Sequence, residues 1–225
     1  MNNDTGNRWN SGSKRDDIDD WLISYADMVT LLLAFFAVLL SISHFDMVKF
    51  EQVQSGVGKD IGKRETAQPI QDLKNEIEAT LVKLSLKDDQ AKLGTDDRGL
   101  VLEFDANTFF DSGSARLKEE HLPALVEIGQ RMNGQRYSAF LVEVQGHTDD
   151  TPIASQVYPT NWELSAARAS AVVRLFIQIG MAPTRLTATG FADTRPKVSN
   201  RDIESRPLPR NQAINRRVTI HVFPR

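Results

Sequence analysis

The sequence predicts a membrane-anchored α/β (α+β) protein, in which one N-terminal membrane-spanning helix precedes a domain with helices packed on one face of a β-sheet. Two patterns predict this fold class. The stretch from Trp21 to Ser43 is apolar almost throughout, and residues 28–43 contain no charge. From about residue 91, segments that alternate like strands are separated by amphipathic segments of helical period, an order typical of a sheet covered by helices.

The composition limits the classes of function. The chain of 225 residues has a formal net charge of −3 and contains no cysteine. That charge is too small to indicate nucleic-acid binding, and a disulfide framework or zinc–thiolate site is excluded. The four histidines lack metal-ligand spacing, and no nucleophile elbow, P-loop or H-E-x-x-H motif is present. We therefore expect no enzyme activity, metal, cofactor or nucleic-acid partner.

The apolar stretch is long enough to cross a bilayer. As a helix it spans about 34 Å at 1.5 Å per residue, against a hydrocarbon core of about 30 Å. Two alternatives are a buried helix in a soluble core and a cleaved signal peptide. Apolar runs of 18 or more residues favour a spanning helix over the first. Acidic residues directly before the stretch and the lack of a following A-x-A site argue against the second. We therefore expect a tail at 1–20 and a permanent single-pass helix at 21–43.

Asp27 is the single charged residue within this stretch. Helical spacing places it on one stripe with Thr30, Ala34 and Ser41, and small or hydroxyl side chains favour helix contacts inside membranes. An acid in hydrocarbon is costly and by default indicates a functional site that faces protein or water. The alternative is that Asp27 lies near enough to the helix end to reach the interface.

Two segments connect this helix to the domain. Residues 44–58 form a short amphipathic piece that either lies on the membrane surface or continues the helix. Residues 59–90 begin as a polar linker that contains glycine, and an amphipathic helix follows Pro69. We favour packing of this helix on the domain core over pairing with a twin helix. Its apolar positions are Ile70, Leu73, Ile77, Leu81 and Leu84.

The domain at 91–225 is predicted element by element. A hairpin turns at 97–99, a helix covers 117–132, and a strand from 137 ends at Gly146. A second helix starts at Asn161 and stops at Gly180, and strands follow at 185–191 and 215–223. With its roughly 135 residues, this is the size of one α/β sandwich.

One pair of opposite charges stands out in the domain. Asp149 follows a strand in GHTDD, and Arg168 lies on the next helix in NWELSAARA, on the same face as Asn161. Such a pair can clamp a zwitterion, because arginine forks onto a carboxylate while aspartate accepts an ammonium. The alternative, which spacing alone favours, is that Asp149 and Arg168 form a simple surface salt bridge with each other.

Several motifs resemble those of flagellar stator B subunits, the MotB and PomB family. GHTDDTPI, YPTNWELSAARA, TGFADTRP and NRRVTIHV are similar to its OmpA-type peptidoglycan-binding domain, and FFDSGSARL resembles the entry to that domain. SYADMVTLLLAFFAVLLSIS resembles the membrane helix of the family. The resemblance covers residues 21–58 and 91–225. It implies an OmpA-like sandwich of βαβαββ order after the membrane helix.

For the membrane part, the resemblance implies an ion path. Asp27 matches the carboxylate that binds the translocated ion, H⁺ or Na⁺, so Thr30, Ala34 and Ser41 would lie on the channel face. Residues 44–58 match the plug that closes the channel before assembly. The apolar plug residues are Phe45, Val48, Phe50 and Val53. A multi-span A subunit of MotA or PomA type would complete the channel.

For the domain, the resemblance implies that Asp149 and Arg168 grip the diaminopimelate of the peptidoglycan stem peptide, with Asn161 in support. It also implies a homodimer in the bacterial inner membrane, with a cytoplasmic N-terminus and a periplasmic domain. The acidic DDIDD at 16–20 departs from the basic tail of the family. Two other functions remain open: a ZorB-type subunit of an ion-driven anti-phage complex, and a plain peptidoglycan-tethering protein in which Asp27 is incidental.

Overall fold

The computed structural model describes residues 16–42, 69–153, 155 and 157–225. The chain divides into two compact units, Met1–Phe45 and Asp46–Arg225, and each is described by itself. The predicted tail before Asp16 lies outside the described residues. The predicted plug at 44–58, with Phe45, Val48, Phe50 and Val53, lies outside them as well, and its role stays a prediction.

In the first unit, the described residues form the helix α1, which spans Asp16–Ile42. Within it, Trp21–Ser41 has a mean hydropathy of 2.1 and is long and apolar enough to cross a membrane. The helix begins at Asp16, ahead of the predicted start at Trp21. Asp27 is exposed on α1, and the Thr30 hydroxyl donates a 2.8 Å hydrogen bond to its backbone carbonyl.

The second unit is built on a five-stranded sheet in the order β1-β2-β5-β3-β4. The strands β3 and β4 are parallel, and the other neighbours are antiparallel. Because β5 is last in the chain but lies between β2 and β3, it joins the N-terminal hairpin to the rest of the sheet. The strands are β1 Ala91–Thr95, β2 Leu100–Asp105, β3 Phe140–Gly146, β4 Leu186–Gly190 and β5 Arg217–Pro224.

The helices of this unit follow the predicted order, with two additions. The additions are two short helices, α3 at Ala106–Phe109 and α6 at Pro209–Asn215. Each is too short to show an apolar period, so the sequence does not predict it. The predicted helices are present, although α4 starts at Leu122 rather than at 117. The helices are α2 Pro69–Lys83, α3 Ala106–Phe109, α4 Leu122–Met132, α5 Asn161–Gln178 and α6 Pro209–Asn215.

The sheet has an apolar face and a polar face. On the central strands, Leu102, Val144 and Ile220 are at most 1% exposed and belong to one core together with residues of α2, α4 and α5. Side chains alternate along a strand, so their neighbours point away from that core. Apart from Val101, those neighbours on the three central strands are polar, and they include Glu103, Gln145, Thr219 and His221.

Helix α2 packs into the core, as its apolar period predicts. Ile70, Leu73 and Ile77 are at most 2% exposed. The Tyr137 hydroxyl donates a 2.8 Å hydrogen bond to Glu76 on this helix, and burial, reinforced by the Glu76 carboxylate, raises the pKa of Tyr137 to about 12. The packed core therefore includes residues of the segment predicted as a linker, 59–90, ahead of the predicted domain start at 91.

This packing predicts that truncating Leu73 destabilises the whole unit. Leu73→Ala should lower the free energy of unfolding by about 2–5 kcal/mol, as large-to-small changes in cores do. Val82→Ala on the same helix is the matched control, because Val82 is 74% exposed and the expected change is under about 0.5 kcal/mol. Urea unfolding of the detergent-solubilised chain, followed by circular dichroism, measures both. Equal stabilities of the two variants would contradict the placement of α2 in the core.

Candidate functional site

Helix α5 approaches the sheet closely because two paired residues beneath it are glycines. Gly146 on β3 pairs with Gly190 on β4. A Cβ atom on Gly146 would lie 2.0 Å from the Ser165 carbonyl oxygen, and one on Gly190 would lie 2.7 Å from the Ala166 nitrogen. The Ser165 hydroxyl also accepts a 3.1 Å hydrogen bond from the Ala192 N–H. These contacts fix the first half of α5 over one end of the sheet.

The start of α5 is tied to the loop that follows β3. Thr160 caps the helix, and its N–H donates a 2.8 Å hydrogen bond to Glu163 in a capping box. The Asn161 amide donates to the backbone carbonyls of Asp149 and Thr151, at 3.2 and 2.9 Å. Asn161 therefore lies beside Asp149, where it orders the loop backbone. Its contact with a ligand stays a prediction.

Arg168 lies two turns further along α5 and is only 4% exposed. Its Nε donates a 2.9 Å hydrogen bond to the Ser114 carbonyl, and its guanidinium carbon lies 5.4 Å from the Phe110 ring centroid. Both partners belong to FFDSGSARL. Within the described residues, the terminal nitrogens of Arg168 have no hydrogen-bond or ion-pair partner. Arg168 therefore offers a pair of charged donor groups that no described residue fills.

Asp149 does not pair with Arg168. Its carboxylate forms an ion pair with Arg216, and its Oδ1 accepts a 3.1 Å hydrogen bond from the Thr151 N–H. Asp149 is 5% exposed, so its carboxylate is largely withdrawn from water, whereas the Arg216 side chain is 30% exposed. The interpretation that spacing alone favours, a direct salt bridge between Asp149 and Arg168, is therefore wrong.

Arg216 is the residue that sequence reasoning missed. It follows α6 and precedes β5, and its Nε donates a 3.3 Å hydrogen bond to the Asn107 side chain. The preceding residue, Asn215, is fully buried and accepts hydrogen bonds from the backbone of Lys197 and Val198, which fixes the chain at this point. Arg216 lies in the motif NRRVTIHV, but its partner Asp149 is 67 positions away in the chain. No spacing rule connects residues at that separation.

We name the site formed by Asp149, Asn161, Arg168 and Arg216 the groove, and it holds a nearly balanced set of charges. Burial, followed by repulsion from Arg216, lowers the pKa of Arg168 to about 10, while Tyr158, Asp105 and Asp149 oppose that change. Arg168 therefore stays protonated at neutral pH, in surroundings where a cation is poorly hydrated. A buried cation of this kind binds a carboxylate strongly. Among the described residues, no group of three potential metal ligands is found.

Comparisons with known proteins agree on the class of protein. The profile of the OmpA family matches residues 109–210, and a profile described as membrane MotB of the proton-channel complex MotA/MotB matches residues 9–59. The uncharacterized protein YtxE of Bacillus subtilis is 31% identical over 93% of this chain and 90% of its own length. Motility protein B of the same organism is 27% identical over 92% of this chain and 91% of its own length.

Solved structures support the same assignment. A putative MotB-like protein from Desulfovibrio vulgaris superposes with a TM-score of 0.58 at 25% identity, over 69% of this chain and 91% of that protein. The fold class predicted for the domain, an OmpA-like α/β sandwich after an apolar helix, is confirmed by the sheet and by these matches. The chain therefore belongs to the MotB family, and its C-terminal domain is of the OmpA type.

Proposed function

We propose that this chain is the B subunit of an ion-driven rotary stator, which holds the complex to peptidoglycan and contributes Asp27 to the ion path. The family assignment makes the chain a structural component rather than an enzyme. The observation that carries the proposal is Arg168, a buried guanidinium whose terminal nitrogens have no partner among the described residues. Arg168 stands at the position that resembles the ligand-binding arginine of the family, and a buried cation without a partner among the described residues favours an anionic ligand.

The proposed ligand is the diaminopimelate of the peptidoglycan stem peptide. Its side chain ends in an ammonium and a carboxylate on one carbon, so recognition needs opposite charges close together. Arg168 forks onto the carboxylate, and Asp149, oriented by Arg216 and Thr151, accepts the ammonium. Asn161 supports this geometry by holding the loop after β3.

The proposed ion path runs along α1. The match of residues 9–59 to the MotA/MotB profile supports a single-pass protein of the inner membrane, with its N-terminus in the cytoplasm and the OmpA-type domain in the periplasm. A second copy and a multi-span MotA-type subunit complete the channel, and residues 44–58 close it before assembly. Thr30, Ala34 and Ser41 lie on the Asp27 stripe that lines the path. The translocated ion, H⁺ or Na⁺, is cargo rather than a resident cofactor.

Torque follows from charge switching at Asp27. An ion that arrives from outside neutralises the carboxylate, and release of that ion inside restores its charge. Moving one charge across 100 mV supplies about 2.3 kcal/mol. That free energy shifts the equilibrium between two arrangements of the A and B subunits. The grip of the OmpA-type domain on the cell wall holds the B subunit still, so that the bias turns the A ring.

Removing the charge of Arg168 should weaken binding of the protein to the cell wall. We expect Arg168→Gln to weaken binding about tenfold or more, because hydrogen bonds to charged groups contribute about 1.5–3 kcal/mol. Co-sedimentation of the detergent-solubilised chain with purified diaminopimelate-type peptidoglycan measures it. Arg174→Gln is the matched control, an exposed arginine on the same helix.

The Arg168 variant must also be shown to fold, and its thermal unfolding profile provides that check. Asp149→Asn, which keeps the shape of the side chain, tests the other half of the proposed grip. Wild-type binding by a folded Arg168→Gln protein would contradict the groove as the peptidoglycan site.

Neutralising Asp27 should paralyse cells without affecting the anchor. We expect Asp27→Asn cells to carry normal filaments, seen by microscopy, yet to swim no better than a deletion strain, while Asp27→Glu retains part of the swimming speed. Peptidoglycan binding by the Asp27→Asn protein should equal that of the wild type. Normal swimming of the Asp27→Asn strain would contradict the stator proposal and would favour the plain tether or the anti-phage complex, which phage-sensitivity assays of the same strain separate.

A further inference from the structure

The polar face of the sheet carries a second concave site, away from the core helices. The cavity has a volume of about 430 Å³. Its floor is formed by alternate residues of β3 and β5 and of the turn after β3: Gln145, His147, Thr219 and His221. Four cationic side chains surround this floor: Lys92, Arg195, Lys197 and Arg217. We name this cavity the sheet pocket.

His147 in the floor of the sheet pocket lacks a hydrogen-bond partner. It is 3% exposed, and its Nδ1 is the one buried side-chain polar atom in the described part of the chain without a partner. The ring stacks on Phe191, with the centroids 5.3 Å apart. A buried polar atom left unsatisfied is costly, so His147 is a polar group of the pocket lining whose hydrogen bonding the described residues do not complete.

The cations around His147 are only partly neutralised. Lys197 pairs with Glu103 at 2.5 Å, but within the described residues Arg195 and Arg217 have no carboxylate partner. Arg195 lies over the Phe191 ring at 3.9 Å. Arg217 donates only to the backbone carbonyls of Asn215 and Arg195, at 3.3 and 3.2 Å. The lining also includes Asp96, whose carboxylate lies 3.1 Å from the His221 ring. Four cationic side chains therefore face two carboxylates, and the described lining keeps an excess of positive charge.

The titration of His147 agrees with this excess. Burial, followed by the positive charges of Arg217 and Arg195, lowers the pKa of His147 to about 3. The imidazole is therefore neutral at physiological pH and carries one N–H that can donate a hydrogen bond. A neutral donor between two guanidiniums favours an anion over a cation.

The sheet pocket is separate from the peptidoglycan groove, although the two share the same stretches of chain. Arg216 turns to Asp149 in the groove, whereas the next residue, Arg217, lines the pocket. His147 likewise lines the pocket, two residues before Asp149. A ligand in one site leaves the side chains of the other uncovered.

We propose that the sheet pocket binds a phosphate group, either as a phosphate ester of a polyol or as inorganic phosphate. Arg195 and Arg217 supply two charged forks, and His147 supplies a neutral donor. Donors from three separate chain segments suit the tetrahedral oxygens of phosphate better than the two coplanar oxygens of a carboxylate. The amide of Gln145 and the hydroxyl of Thr219 in the floor suit the hydroxyl groups of a polyol.

Isothermal titration calorimetry on the full chain in detergent micelles tests this site. The probes are sn-glycerol 3-phosphate and inorganic phosphate, with glycerol and acetate as controls. We expect saturable binding of phosphate compounds to the wild type, at least about tenfold weaker binding to Arg195→Gln, and unchanged binding to Arg174→Gln. Arg195 is exposed, so its substitution leaves the core intact.

Each outcome of this titration is decisive. Tighter binding of the glycerol ester assigns the pocket to a phosphate ester, and equal or tighter binding of inorganic phosphate assigns it to the free anion. No saturable binding of either compound, equal binding of acetate, or wild-type affinity in Arg195→Gln would overturn the proposal. None of these outcomes depends on the peptidoglycan groove, which the variants leave unchanged.

Discussion

The close packing of α5 on the sheet is the constraint on which the rest of the domain depends. Gly146 and Gly190 are paired across β3 and β4 and leave no room for a side chain beneath Ser165 and Ala166. Because α5 is held this near, Arg168 reaches the loop that carries Ser114 and Phe110, and Asn161 reaches the loop after β3. A wider helix–sheet spacing would separate the charges that form the groove.

The second organising feature is that two consecutive residues serve two different sites at one end of the sheet. Arg216 and Arg217 follow each other in the chain, yet one neutralises Asp149 and the other lines the sheet pocket. The buried Asn215 fixes this point through hydrogen bonds to the backbone of residues 197 and 198. A single well-ordered turn thus supplies charge to both sites. Its cost, the burial of several charged groups, is offset by ion pairs and by hydrogen bonds to backbone carbonyls.

Local periodicity allowed prediction of the elements that are long enough to show it. The membrane-length helix, the hairpin at β1 and β2, the strand β3 and the helices α2 and α5 all follow from apolar spacing and from turn residues. The short helices α3 and α6 carry too few residues for such a signal. The pairing within the groove was predicted wrongly, because spacing places Asp149 near Arg168 but contains no information about Arg216, which arrives from the far end of the chain. Tertiary charge pairing is set by topology, and no local pattern shows it.

The proposed function depends on one contact, in which the Arg168 guanidinium, whose terminal nitrogens have no partner among the described residues, binds a carboxylate of the cell wall. The most direct test compares the affinity of the detergent-solubilised chain for two muropeptides that differ only at the third residue, diaminopimelate or lysine. Lysine keeps the ammonium and lacks the second carboxylate. We expect clearly tighter binding of the diaminopimelate peptide, and a loss of that preference in Arg168→Gln. Equal affinity of the wild type for both peptides would contradict it.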